Sequence, residues 1–195
     1  MRSQTHQQKK TLGERGSMLI ELLISMSVLA IGLGGVLALL ISAVLTNSKA
    51  GKDTSATMVA ENILEQISAQ PGNATGAAAL LQITDCAGTI WTIDTNAATL
   101  GAGTGLNGGN GANLTNLGVV DWTQSYATVP ANYAMRYVAC GNASRQMTYD
   151  VRWNVVRMTT NNRAVVISAR PVESTAVGGL KYVVPINLRT VDGTP

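Results

Sequence analysis

The chain has 195 residues, a formal charge of +3, one histidine, two cysteines and no phenylalanine, which leaves room for one soluble domain of ordinary size beside any anchor. Four of the fourteen basic residues (Arg2, Lys9, Lys10, Arg15) but one of the eleven acidic ones (Glu14) lie in residues 1–16, so residues 17–195 carry ten of each and are neutral. A neutral body gives no footing for nucleic-acid binding, and with His6 as its lone histidine the chain cannot build a Ser-His-Asp, Cys-His or histidine metal site beyond residue 16.

Residues 1–16 read as a polar, basic leader. Its positive charge holds it on the cytoplasmic side and sends the carboxy-terminal body across the membrane. From Leu22 to Thr46 there are 25 residues without a charge. As a helix they cover ~37 Å, enough to cross a hydrocarbon core of ~30 Å with some tilt. Residues 17–46 are therefore expected to span the membrane, with Gly32, Gly34 and Gly35 midway. The one charge at the start of this run is Glu21. It can be read as a helix-start acid reaching headgroup water and the positive end of the helix dipole. It can also be read as a carboxylate awaiting a cationic partner.

The run Gly16-Ser17-Met18-Leu19-Ile20-Glu21, after a short basic leader and before an apolar helix, resembles the class III signal of type IV prepilins and pseudopilins. The resemblance implies that a prepilin peptidase cuts after Gly16, leaves Ser17 as the new amino terminus and methylates it. Glu21, then at mature position five, would pair with the amino terminus of a neighbouring subunit. The family usually carries Phe at the first mature position, where this chain has Ser17. The stretch Ser27-Val28-Leu29-Ala30-Ile31-Gly32-Leu33-Gly34-Gly35 is similar to the L-A-I-G-L-x-G segment of PilV-like minor pilins, the type IV pilus modification proteins. The implied protein is a minor pilin in the bacterial inner membrane, with its head in the periplasm, destined for a pilus and packed on other pilins through its amino-terminal helix. A pseudopilin of a type II secretion system carries the same signal, and a membrane-anchored periplasmic binding domain is the alternative of another class. No cofactor or metal and no enzyme activity is expected.

From 47 to 70 the helical period turns amphipathic. Ala56, Val59, Ala60, Ile63, Leu64 and Ile67 form the apolar stripe, Lys49, Lys52, Glu61 and Glu65 fall mostly opposite, and Pro71-Gly72 ends the helix. Residues 71–195 should form a β-rich head. Strands are expected in Thr89–Ile93, Leu117–Val120, Tyr133–Cys140, Met147–Arg157, Arg163–Arg170 and Lys181–Arg189, with a hairpin at Asn161-Asn162. Tyr149, Val151, Trp153 and Val155 should face the helix, with Arg152 and Asn154 on the other side. Pro185 marks its run as an edge strand or a bulge. The glycine-rich residues 101–111 contain a formal G-x-G-x-x-G, but no helix follows it, so the segment is read as a flexible surface loop. In the oxidising periplasm Cys86 and Cys140 are expected to form one disulfide, stabilising by ~4 kcal/mol in the chain-entropy model; the alternative is two buried thiols. The expected fold is α+β: a long amino-terminal helix, its first half transmembrane, packed on a mainly antiparallel sheet, as in pilins.

Overall fold

The computed structural model describes residues 12–103, 105, 107–141, 146–172 and 184–193, with side chains from Met18 onward. The fold is α+β. Helix α1 runs Leu12–Ser68 and ends three residues before Pro71, which has no amide hydrogen to continue it. The chain divides into two compact units after Lys49. In the first, every large apolar side chain from Met18 to Leu45 is at least 51% exposed, and the most apolar window has a mean hydropathy of 2.7. Among the described residues this is the one helix long and apolar enough to cross a membrane.

In the second unit, α1 lays the predicted stripe on a sheet. Ala56, Val59, Ala60, Ile63 and Ile67 are buried, Leu64 is half-buried, and Glu61, Glu65 and Lys52 are exposed. The strands are β1 Leu80–Thr84, β2 Ile90–Asp94, β3 Ala98–Thr99, β4 Asn110–Gly111, β5 Ala134–Cys140, β6 Gln146–Arg157, β7 Asn162–Pro171 and β8 Ile186–Gly193. β1 and β2 form a separate antiparallel hairpin. β6, twelve residues long, is the spine of the main sheet. β7 and then β8 follow on one side. On the other side β5, β4 and β3 take successive stretches of β6, the first two antiparallel and β3 parallel.

Alternation divides the main sheet into two faces. Tyr149, Val151, Trp153 and Val155 of β6, with Met135 of β5 and Val165, Ile167 and Ala169 of β7, join the helix stripe in one core. Fully burying an aliphatic or aromatic side chain of this kind contributes roughly 1.5–3 kcal/mol, so this row is the main attachment of helix to sheet. The Trp153 indole is satisfied as well, donating to the Asp94 carbonyl at 2.9 Å.

Three expectations need correction. Leu117–Val120 is not a strand: Leu114 and Val120 make a single bridge around a turn in which the Gly118 amide donates to the Thr115 carbonyl. Gly118 sits there at φ +65°, a conformation that ends β pairing. The glycine-rich segment is not a loose surface loop either. Gly108, Gly109 and Gly111 are buried, and a side chain on Gly109 would strike the Asn154 amide, just as one on Gly111 would strike the Trp153 carbonyl. Glycine is needed because the segment completes the edge of β6. Finally, the last strand lies further along than expected, at Ile186–Gly193, with Pro185 just before it. Residues 181–183 of the expected strand lie outside the described residues. Among the described strands β8 lies at the edge of the sheet, one of the two readings, edge strand or bulge, that Pro185 gave.

Candidate assembly site

Glu21 is exposed on α1, one turn from Ser25, whose hydroxyl donates to the Glu21 carbonyl at 2.8 Å. Leu19, Ile20, Leu22 and Leu23 surround it, all exposed. Among the described residues no ion pair involves its carboxylate. Gly16 and Ser17 fall in the first turns of α1, and their side chains, like residues 1–11, lie outside the described residues. Built side chains at Gly32, Gly34 and Gly35 would meet nothing within 4 Å. Three glycines in mid-helix sacrifice ~1 kcal/mol of propensity each relative to Ala in water, and no contact among the described residues requires them.

The head is pinned at two points. The first is the disulfide between Cys86 and Cys140, with Cα atoms 5.8 Å apart, inside the usual range. It ties the β1–β2 turn to the end of β5. Beside it the buried Asp85 carboxylate accepts from the amides of Ala87 (2.9 Å), Thr89 (2.8 Å) and Val138 (3.4 Å) and from the Trp91 indole (3.0 Å). Burial pushes this carboxyl up, but the four donors, led by Trp91, outweigh it and hold the group below its ordinary value.

The second point is Arg163, which sequence reasoning missed. It sits on the helix-facing side of β7, fully buried. Its guanidinium donates to the carbonyls of Ile67 (2.6 Å) and Gln70 (2.8 Å) at the end of α1, and to that of Thr95 (3.3 Å). It also pairs with Asp192, directly opposite on β8, at 3.0 Å. One cation thus takes up the Gln70 carbonyl, adds a second bond to that of Ile67, which also accepts the Gln70 amide at 3.1 Å, and favours the negative end of the helix dipole. The signal was present in the sequence: Arg163 has the same parity as Val165, Ile167 and Ala169.

The far face of the sheet carries another group that pattern reading did not find. Arg152 and Asn154 face away from α1 as expected, yet both are buried. Asn154 is covered by the glycine-rich segment, donating to the Ala112 carbonyl at 2.8 Å. Residues 113–128 fold over Arg152, which donates to the Gln124 carbonyl at 2.7 Å while the Trp122 indole donates to Ser168 at 3.0 Å. Arg152 also grips Asp150 with two nitrogens, at 3.0 and 2.8 Å. Arginines and rings alternate here. Arg170 and Arg152 lie 4.2 and 4.5 Å from the Trp122 ring centre, and Arg152 and Arg136 lie 5.8 and 4.9 Å from that of Tyr126.

An open apolar groove of about 400 Å³ lies on the same face, lined by residues that include Leu100, Leu114, Val166 and Val191. Among the described residues no three His, Cys, Asp or Glu side chains converge as a metal site. No family model, curated protein or solved structure matches this chain.

Proposed function

We propose that the protein is a minor pilin: a structural subunit anchored by the first part of α1, trimmed after Gly16 by a prepilin peptidase, and incorporated into a type IV pilus or the complex that initiates it. The observation that carries this reading is the division of labour along α1. Its stripe from Ala56 to Ile67 is buried on the head, while Met18 to Leu45 is apolar all round and uncovered. An all-round apolar helix needs lipid or other helices about it. Glu21 is the single charge in that run, and a carboxylate so placed is stable only when paired, hydrated or protonated. A neighbour's new Ser17 ammonium group would supply the pair. The three mid-helix glycines, required by no contact among the described residues, suit close approach of partner helices.

The test is the mass and amino-terminal sequence of the protein recovered from membranes with and without the peptidase. A chain beginning at Ser17 only when the enzyme is present supports the reading. An intact Met1 terminus, or a cut beyond the apolar run, overturns it. The type II secretion pseudopilin shares every one of these features and is separated by which machine loses function when the protein is deleted.

A further inference from the structure

We infer that the head carries a heterologous, self-complementary interface, in which the acidic face of α1 on one copy docks on the arginine-rich far face of the sheet on a second copy. Glu61 and Glu65 are exposed, four residues apart on α1, with no basic residue three or four positions from either. Two acids at that spacing repel each other, and Glu65 stands in the last turn, where the helix dipole disfavours a negative charge. Local energetics argue against this pair, and among the described residues no ion pair relieves it.

The opposite face has the converse excess. Arg136, Asp150 and Arg170 stand in register across β5, β6 and β7, which sets the two arginine backbones roughly 10 Å apart. Arg152 already grips Asp150 through two hydrogen bonds. Arg170 is only 3.8 Å from that carboxylate and partly exposed, and Arg136 is exposed. Stacking on Trp122 and Tyr126 holds both outer guanidinium groups in place, so little side-chain freedom is left to lose on binding. Their donor edges fit carboxylates, and Glu61 and Glu65 offer two of them on one helix face, about 5–6 Å apart at Cβ.

The acidic pair lies on the helix side of the sheet and the arginines on the other. One copy can therefore use both at once, giving a head-to-tail contact. Exposed charge pairs are individually weak, but chains anchored in one membrane meet at high effective concentration. The inference does not depend on cutting at Gly16, because an unprocessed chain presents the same two faces.

The experiment follows self-association of the full chain reconstituted in neutral phosphatidylcholine vesicles, by energy transfer between two fluorescent labels, at low salt and at about 0.5 M salt, where screening is nearly complete. One variant combines Arg136→Glu with Arg170→Gln; the other combines Glu61→Lys with Glu65→Lys. Thermal melting checks that each folds. Wild-type chains are expected to associate at low salt and lose this at high salt, and each variant alone should weaken by about tenfold or more. A mixture of the two variants should recover association, since each now presents the charge the other lacks. Absence of wild-type association, variants that associate as wild type, or a mixture that stays apart would overturn the interface. None of these results bears on processing at Gly16, so the two readings fail separately.

Discussion

Arg163 carries the most concentrated set of contacts in the head. Arg163→Met would keep the volume but strand the Gln70 and Thr95 carbonyls and leave the Asp192 carboxylate without its cation. Removing one partner of a buried pair costs about 3–5 kcal/mol, and that loss is expected in denaturant titration of the head. Arg163→Lys should recover little, because one ammonium cannot reproduce a fork that spans the helix end and β8. Asp85 makes a pH-dependent contribution. Its folded carboxyl is more acidic than the unfolded reference near 3.9. Its stabilisation is therefore complete above about pH 5 and is lost as pH falls through the folded value. Asp85→Asn should destabilise by about 1–2 kcal/mol at neutral pH. The gap from wild type should shrink on acidification, as melting curves across pH would report; a constant gap would mean that the charge is not what the four donors recognise.

At the scale of elements, the β1–β2 hairpin belongs to a sheet of its own and is fastened to β5 by Cys86–Cys140 and by Asp85. Replacing both cysteines by serine should lower head stability by about 2–4 kcal/mol. Hydrogen exchange should quicken in Leu80–Asp94 before it does in β6 and β7, whose ladders do not involve the bridge. Equal acceleration throughout would show that the hairpin is integral to the core. The elements that could be read from sequence are those whose period is local. The stripe from Ala56 to Ile67 and the alternation of Tyr149 to Val155 each declare a buried face within a dozen residues. The hydroxyls, amides and glycines of residues 96–128 declare nothing of the kind. Their places are set by distant partners, as when Asn154 donates to the Ala112 carbonyl. Arg152 looked like a solvent-facing residue for the same reason: the segment that covers it has no periodicity to announce it. Of the candidate site, Glu21 was visible as a residue type, as were the cysteines of the head. The arginine groups depended on strand register, which pattern alone does not supply.

For the whole molecule, substitutions at Glu21 test the proposed assembly role apart from anchoring. A charged side chain near the centre of a spanning helix costs roughly 2.5–3.5 kcal/mol on the insertion scale, and less near the interface. Glu21→Leu removes that cost, so a chain that merely needs an anchor should insert as well as wild type or better. In a filament the balance reverses if the carboxylate pairs with a neighbour's amino terminus in an apolar setting, because the substitution then leaves that ammonium group buried without its partner. Glu21→Leu and Glu21→Ala are therefore expected to leave the amount of membrane-inserted protein unchanged or raised while the amount recovered in sheared pili falls. Quantifying both fractions from the same cells keeps the two effects apart. Unchanged pilus incorporation would leave Glu21 as a helix-start acid and remove the pairing role. A parallel loss from membrane and pilus would place the defect in insertion, before any subunit meets another.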